Sequence, residues 1–533
     1  MIRSQRRPDR TRIGRVATAF ALVLALGLVA CDGAPDAAAR GTLSFEEATV
    51  RAIHAAFASG SLTCAQLVEH YLRRIEAYDD EGPALNAILT VNPRAAGTAE
   101  DLDRLYAKTG TDGRPLHCVP VIVKDNYDTA DLPTTGGSVT LAQSVPPDDA
   151  FVVRRLREAG ALILAKSNLT ELARGGTTVS SLGGQTRNPY DLGRTPGGSS
   201  GGTAAAIAAG FGVLGTGSDT GQSIRSPASA QSLVGIRATR GLVSRDGVIP
   251  YSFTQDEVGP IVRTVEDAAR MLDVIAGYDP ADPITAFGVG KVPSSYTESL
   301  DPDALDGARI GLLLGAMGQD AIHEEVNAVV ENAIATMTEA GATVVRVRTP
   351  AFADLIPDIA VAGFEFKVAF NGYLASLGSA APVHSLEEFI ERDEFYPGLR
   401  AGLEADQRVE DGLNDPEYRS RLLRREEFRQ AMMTVIADNQ LDALLYPHQR
   451  RLVAPIGGPQ LERNGVLSNS TGFPAITFPG GFSAPTASAP LGVPIGIELL
   501  GPAWSEPTLI GLAYAFEKAS RIRRPPASTP PLG

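Results

Sequence analysis

Residues 197–225 read GGSSGG-TAAAIAAGFGVLGTGS-DTGQSIR, and this stretch decides how the rest of the chain is interpreted. It contains two loops of small residues, each of which offers a serine, Ser199 and Ser223. The alanine-rich run between them, residues 203–209, predicts a helix that packs closely against its neighbours. Glycine lets the backbone approach a ligand, and backbone N–H groups can then stabilise a developing oxyanion. The pattern therefore predicts nucleophilic catalysis by a serine.

A lysine, Lys124, lies upstream and directly follows a strand-like apolar run at residues 119–123. A lysine amine has an ordinary pKa near 10.4, so it accepts a proton at neutral pH only where its charged form is disfavoured. Burial in the apolar run would lower this pKa, whereas Asp125 would raise it if its carboxylate faced the amine. The alternative for a Lys-Asp pair after a strand is an ordinary surface ion pair.

These residues, with further segments in the same order, resemble the amidase signature family, serine hydrolases with a Ser–cis-Ser–Lys triad. The resemblance covers residues 44–525 and is nearest to exported members that resemble peptide amidases. It implies a hydrolase of carboxylic amides. The further matching segments are Gly-Gln-Thr-Arg-Asn-Pro (184–189), Gly-Pro-Ile-Val-Arg-Thr-Val-Glu-Asp-Ala-Ala (259–269), Gly-Phe-Pro-Ala-Ile-Thr-Phe-Pro-Gly-Gly (472–481) and Gly-Val-Pro-Ile-Gly-Ile-Glu-Leu-Leu-Gly (492–501).

The resemblance implies a role for each catalytic position. Ser223 is the implied nucleophile, Ser199 the proton relay after a cis peptide bond with Gly198, and Lys124 the base. An acyl-enzyme on Ser223 would then be hydrolysed by water. The expected substrate is a small-molecule or peptide amide, and no cofactor is expected. The implied oxyanion hole consists of the backbone N–H groups of Thr220, Gly221, Gln222 and Ser223.

Three neighbouring residues are expected to support the two loops, and a fourth departs from the family pattern. Asp219 and Arg225 are expected to brace the second loop through hydrogen bonds and an ion pair, and Ser200 to support the first loop. Gln222 stands where glycine is commoner, so its side chain is expected to shape the substrate pocket. Residues 363–374 are a candidate substrate-facing helix, with an ordinary surface helix as the alternative.

Strand-like runs alternate with helical patterns along most of the chain. This alternation predicts a single large α/β domain in which helices cover both sides of a mixed central sheet. Capping-box signatures at Ser44 and Thr63 predict the starts of the first two helices. Residues 309–347 predict a strand–helix–strand unit, and residues 351–440 are mostly helical in pattern. The other predicted strands are residues 85–91, 119–123 and 161–165, and a further helix is predicted at residues 150–159.

The first 30 residues indicate an export signal rather than part of the fold. Six arginines precede an apolar run, residues 17–30, which is shorter than the about 20 residues that span a membrane. The run ends Leu-Val-Ala-Cys31, a lipobox, which predicts cleavage before Cys31 and its lipidation; an ordinary cleaved signal peptide is the alternative. Residues 31–43 would form a tether and residues 526–533 an irregular tail. The protein would be lipid-anchored at the bacterial cell envelope, on the periplasmic face.

Charge and cysteine content argue against several functions. The formal net charge of −14 becomes −19 without residues 1–30, which hold six arginines and one aspartate, so binding to nucleic acid is not expected. The six histidines show no metal-ligand spacing, so no metal is expected. Cys64 and Cys118 remain after lipidation, and the sequence leaves open whether they form a disulfide or stay as buried thiols. The oligomeric state is not set by the sequence.

Two alternative functions remain open. Residues 197–201 also fit Gly-x-Ser-x-Gly, the nucleophile elbow of α/β-hydrolase esterases, although a loop rather than a strand precedes them. Such an esterase would need His323, His384 or His448 as its base. The second alternative is a catalytically silent, lipid-tethered binding protein on the same scaffold. The family's tRNA-dependent amide-transfer enzymes match less well, because they need cytoplasmic partners.

Overall fold

The computed structural model describes residues 44–348, 355–356 and 359–532, so the predicted signal segment, Cys31 and the whole predicted tether lie outside the described residues. The strands within these ranges are β1 (Ile88–Val91), β2 (Pro120–Lys124), β3 (Leu162–Ser167), β4 (Val179–Ser180), β5 (Gly184–Gln185), β6 (Leu214–Asp219), β7 (Val234–Arg237), β8 (Glu257–Val262), β9 (Arg309–Leu313), β10 (Thr343–Val347), β11 (Ala443–Pro447), β12 (Ala475–Phe482) and β13 (Pro494–Leu500). Among the described residues, eleven of them form one mixed sheet in the order β1-β3-β2-β6-β8-β7-β12-β13-β11-β9-β10, and β4 pairs with β5.

Helices pack on both faces of this sheet. They are α1 (Val50–Ala58), α2 (Cys64–Ile75), α3 (Ala95–Thr109), α4 (Phe151–Glu158), α5 (Gly201–Ala208), α6 (Arg225–Ala230), α7 (Val265–Ile275), α8 (Glu324–Glu339), α9 (Ala362–Ser376), α10 (Leu386–Arg392), α11 (Arg400–Gln407), α12 (Pro416–Asp438), α13 (Val466–Thr471) and α14 (Glu506–Ser520). The prediction of one large α/β domain with a mixed, helix-covered sheet is confirmed.

Strand β2 lies between β3 and β6 and is parallel to both. Parallel neighbours require crossover connections, and here α4 joins β2 to β3 while α5 lies between β3 and β6 in the chain. The carboxyl ends of β2 and β6 therefore meet at one edge of the sheet. Their last residues are Lys124 and Asp219, so the fold brings together the two motifs that the sequence marks as catalytic.

Of the two predicted helix starts, the structure has the second but not the first. The capping box at Thr63 is confirmed, since its hydroxyl accepts the backbone N–H of Gln66 and the side chain of Gln66 accepts the backbone N–H of Thr63. The one at Ser44 is wrong: α1 begins at Val50, capped by Thr49. The hydroxyl of Ser44 donates instead to the carboxylate of Glu46 at 2.9 Å, and it does not cap a helix.

The prediction for residues 309–347 is confirmed, because β9 and β10 are parallel and α8 joins them. Residues 351–440 are mostly helical where they are described, as predicted. Their helices pack around an aromatic core in which Phe366, Phe370 and Phe389 are in ring contact. This core holds α9 in place beside the sheet.

Cys64, at the start of α2, and Cys118, two residues before β2, form a disulfide with their Cα atoms 5.9 Å apart. It ties the N-terminal helices to the strand that ends at Lys124.

No helix in the described part of the chain is long and apolar enough to cross a membrane.

Candidate active site

The side chain of Lys124 is completely buried at the end of β2. Its Nζ lies 2.8 Å from Oγ of Ser199 and 2.7 Å from Oγ of Ser218, and it donates to the carbonyl of Ser218 at 3.3 Å. Burial lowers the pKa of this amine to about 7, although the carboxylates of Asp219 and Asp256 act in the opposite direction. In about half of the molecules the amine is therefore neutral at pH 7 and can accept a proton.

Asp125 does not face the amine of Lys124. Asp125 directly follows the last residue of β2, and its carboxylate lies 3.1 Å from Nζ of Lys166 instead. It also accepts hydrogen bonds from the backbone N–H and the hydroxyl of Thr135. The carboxylate nearest to Lys124 in sequence is thus engaged elsewhere.

The first serine loop is held on both sides of Ser199. The peptide bond between Gly198 and Ser199 is cis. Thr178 donates its hydroxyl to the carbonyl of Gly197 at 2.7 Å, and the carbonyl of Ser199 accepts the N–H of Thr170 at 3.0 Å. Ser199 is completely buried, and its hydroxyl faces the amine of Lys124.

Ser200 connects the two serine loops. Its N–H donates to the carbonyl of Ser223 at 3.2 Å, and its hydroxyl donates to the carbonyl of Ser218 at 3.3 Å. The three predicted catalytic residues therefore lie on segments joined by direct hydrogen bonds, from Lys124 to Ser199 and from Ser200 to Ser223.

The carbonyl groups of the second serine loop, residues 219–223, accept hydrogen bonds from surrounding groups. No described residue accepts a hydrogen bond from the N–H groups of residues 220–223. Anchored carbonyls fix the peptide planes, so these N–H groups are held in place without an acceptor among the described residues. The carbonyl of Asp219 accepts from Arg237, that of Thr220 from Gln255 (3.2 Å), and that of Gly221 from Arg225 (2.9 Å) and Asn469 (3.0 Å).

A buried ion network fixes the same loop. Arg225 donates from Nε and Nη2 to the carboxylate of Asp219 at 3.0 and 3.2 Å, and from Nη1 to Glu498 at 2.9 Å. Burial alone would raise the pKa of Asp219, but Arg225 and Arg237 hold it well below its usual range. In spite of burial, Arg225 and His448 lower the pKa of Glu498 to about 2. Both carboxylates are therefore charged at neutral pH and neutralise the arginine.

Sequence reasoning missed three polar residues of this site. Ser218 contacts the amine of Lys124, and Asn126 donates from Nδ2 to Oγ of Ser218 at 3.0 Å. Glu498 lies in one of the matching segments, yet it had no assigned role. A usable signal existed for Ser218, because the carboxyl ends of parallel strands meet at one edge of the sheet and Ser218 directly precedes Asp219.

A cavity of about 360 Å³ lies against Ser218 and Thr220. The candidate helix at residues 363–374 falls within α9, which contributes to the cavity wall. The remaining wall is more apolar than polar, and its acidic and basic side chains are Arg245, Asp246, Asp256 and Asp282. The wall residues from α9 are Val368, Ala369, Gly372, Tyr373 and Ser376.

The histidines that an esterase would need are engaged elsewhere. A hydrogen bond of 2.6 Å joins Nδ1 of His448 to Glu498, His323 contacts Glu462, and His384 is exposed. In the described ranges, none of the three is hydrogen-bonded to either serine. Those ranges also contain no group of three or more His, Cys, Asp or Glu side chains that could hold a metal ion.

Comparisons with known proteins identify the family of this chain. The model of the Amidase family matches residues 66–510. A protein of Arabidopsis thaliana named as a probable amidase is 36% identical over 527 residues, which cover 95% of this chain and 96% of that protein. A Bdellovibrio bacteriovorus protein, named as part of a glutamyl-tRNA(Gln) amidotransferase, is 34% identical over 89% of this chain and 98% of its own length. The native peptide amidase from Stenotrophomonas maltophilia superposes with a TM-score of 0.81 at 37% identity, over 90% of this chain and 98% of that one. The chain thus belongs to the amidase family, as its signature motifs indicate, and is an enzyme that hydrolyses amide bonds.

Proposed function

We propose that this amidase works through an acyl-enzyme on Ser223, with Ser199 and Lys124 as the proton relay. The supporting observation is the buried amine of Lys124, whose pKa is lowered to about 7 by burial and whose Nζ lies 2.8 Å from Oγ of Ser199. Ser223 lies on the loop whose N–H groups are free to bind an oxyanion, and Ser200 joins that loop to Ser199.

The chemistry follows from these positions. Oγ of Ser223 attacks the amide carbon, its proton passes to Ser199, and the proton of Ser199 passes to the neutral amine of Lys124. The carbonyl oxygen becomes an oxyanion bound by the N–H groups of residues 220–223. The lysine then returns a proton through Ser199 to the leaving nitrogen as the C–N bond breaks. Water attacks the acyl-enzyme through the same relay and releases the carboxylic acid.

The cavity beside Ser218 and Thr220 is the proposed site for the body of the substrate, a small-molecule or peptide amide. Its volume of about 360 Å³ lies within the range of small-molecule pockets. The name of the Stenotrophomonas neighbour supports peptide amides as one class. The relatives named for glutamyl-tRNA(Gln) argue less strongly, because this chain carries a formal charge of −14 and RNA binding depends on clustered positive charge.

We also propose that the enzyme is exported and anchored by a lipid on Cys31. Support comes from the six arginines, the apolar run of residues 17–30 and the Leu-Val-Ala-Cys31 sequence that ends it. The partners of the protein would then be the amide substrate and the lipid bilayer.

Covalent labelling tests the catalytic proposal. A fluorophosphonate probe should add to one serine of the purified domain, and Ser223→Ala should abolish both labelling and amide turnover. Ser226→Ala is the matched control, because Ser226 lies three residues along and its buried hydroxyl has no hydrogen-bond partner in the described structure. Labelling that survives Ser223→Ala, or turnover that survives Lys124→Ala, would contradict the mechanism.

A further inference from the structure

Arg463 is partly buried, and its guanidinium group has no counter-ion among the described residues. Its Nη1 is inaccessible to solvent and has no hydrogen-bond partner, and no carboxylate of the described residues forms an ion pair with it. The adjacent carboxylate, that of Glu462, contacts His323 and lies 3.2 Å from Arg451 instead. Burial lowers the pKa of Arg463 to about 10. A buried cation without a partner is costly to the fold, which points to an anion that is supplied from outside.

The position of Arg463 is fixed by the two residues that follow it. Asn464 donates from Nδ2 to the carbonyls of Pro447 and Ala316, at 2.7 and 2.9 Å. Gly465 packs directly on the second serine loop, because a Cβ at this position would overlap the carbonyl oxygen of Gly221. The backbone at Arg463 is therefore anchored beside the second serine loop.

Gly176 and Gln222 are the neighbours that place the guanidinium of Arg463 near the two serine loops. A Cβ on Gly176 would overlap Nη1 of Arg463 and would stand 3.3 Å from Nε2 of Gln222. The backbone of Gly176 also contacts the first serine loop, because a Cβ on Gly198 would stand 2.8 Å from its carbonyl carbon. Arg463 and the amide of Gln222 thus flank one small region between the two serine loops.

We propose that Arg463 and Gln222 bind a carboxylate of the substrate, so that the preferred substrate is an amide with a carboxylate close to the bond that is cleaved. A guanidinium pairs with a carboxylate through two parallel hydrogen bonds, and the N–H groups of Gln222 can add a third. The uncharged remainder of the molecule lies in the cavity beside Ser218 and Thr220. This inference rests on the proposed acyl-enzyme function and narrows its substrate class. A neutral peptide amide lacks the group that Arg463 would bind.

Matched substrate pairs test the inference. The first pair is the mono-p-nitroanilide of glutaric acid and its methyl ketone twin, the p-nitroanilide of 5-oxohexanoic acid, with the charge on the acyl side. The second is 4-acetamidobenzoate and 4-acetamidoacetophenone, with the charge on the leaving side. In one of the pairs, kcat/KM of the wild type should favour the carboxylate by tenfold or more. The pair that shows the preference identifies the side of the scissile bond that faces Arg463.

Arg463→Gln should reduce this preference by about ten- to a hundredfold, mainly through KM, as expected when a charge-assisted hydrogen bond is lost. Arg463→Lys keeps the charge and should retain part of the preference. Arg451→Gln is the matched control, because Arg451 is paired with Glu462, and it should keep the wild-type ratio.

A second readout does not depend on turnover. Calorimetry of the Ser223→Ala protein should detect the anion of the preferred pair, glutarate or benzoate, and adding Arg463→Gln should remove this binding. A ratio that Arg463→Gln leaves unchanged, or binding of neither anion by the Ser223→Ala protein, would overturn the inference. The proposed mechanism would survive that result if the neutral twins are still cleaved by the wild type and are not cleaved after Ser223→Ala.

Discussion

The rate of amide hydrolysis should follow the deprotonation of Lys124. Burial lowers its pKa to about 7, against the opposing effect of Asp219 and Asp256, and only the neutral amine can accept the proton of Ser199. We expect kcat/KM to rise with pH, pass through an inflection near pH 7 and level off above about pH 8.5. The neutral fraction is about half at pH 7, roughly a tenth at pH 6 and about a hundredth at pH 5.

The size of the effect follows from the shift in pKa. A lysine amine at its ordinary pKa of 10.5 would be neutral in only about 3 molecules of 10,000 at pH 7. The buried amine of Lys124 is therefore roughly a thousandfold more available as a base. In free energy of protonation the difference is about 5 kcal/mol.

The assay is the pH profile of kcat/KM between pH 5 and 10, with a neutral p-nitroanilide substrate. Lys124→Arg should lose the inflection together with the activity, because arginine stays charged throughout this range. Asp128→Asn is the control, since burial also raises the pKa of Asp128 to about 7 and its partner Tyr373 lines the cavity. The inflection should survive in that variant. A flat profile below pH 8, or an inflection near pH 10, would refute the assignment of Lys124 as the base.

Four further outcomes are expected. Lys124→Met should be more stable than the wild type at pH 7, because the lowered pKa of Lys124 reduces the free energy of unfolding of the wild type. This reduction is largest below pH 7 and disappears as the pH rises to 10.5. Denaturant titrations should show the difference shrinking by about 3 kcal/mol between pH 7 and 10, and a constant difference would contradict this. Replacing Cys64 and Cys118 by alanine opens a cross-link over 54 residues, and the free energy of unfolding should fall by about 4 kcal/mol; an equal stability of the oxidised and reduced wild type would count against it. Arg225→Gln leaves Asp219 and Glu498 as buried carboxylates without their shared partner, so a loss of about 3–5 kcal/mol and of most turnover is expected, measured by thermal unfolding and kcat; full activity would show that the ion network is dispensable. Cys31→Ser should abolish incorporation of labelled palmitate and release the protein from the membrane fraction, whereas unchanged fractionation would refute lipid anchoring at this residue.

The sequence was most informative where chemistry requires particular residues within one short segment. Ser199 follows a pair of glycines, Ser223 lies two residues after a glycine, and Lys124 ends an apolar run that becomes a buried strand. The sequence predicted the local part of the framework, the pair of Asp219 and Arg225, but not the members that come from distant strands and helices. Glu498, for example, meets Arg225 across 273 positions of the chain, and no local pattern marks such a pair.

Local patterns also failed where a competing hydrogen bond satisfied the same group. Ser44 has the sequence context of a helix cap, but its hydroxyl donates to Glu46. The strand predicted from residue 85 begins at Ile88, because the carboxylate of Asp79 takes the N–H groups of Ala87 and Ile88 where the strand starts. In both cases one acidic side chain, which sequence patterns do not place in space, decides where the element begins.

Two buried lysines on adjacent strands show what turns such a residue into a base. The amine of Lys166 donates to four oxygen atoms, and the carboxylate of Asp125 lies 3.1 Å away, so the protein provides a full set of partners for its positive charge. The amine of Lys124 meets two serine hydroxyls and one carbonyl, with no carboxylate in contact among the described residues, so burial acts on it with little compensation. This division arises where β2 ends, because the carboxylate of Asp125, the next residue, is directed to Lys166 and Thr135. The Lys-Asp pair in the sequence is therefore not an ion pair: the carboxylate of Asp125 lies beside Lys166, and the amine of Lys124 is left for the proton relay proposed above.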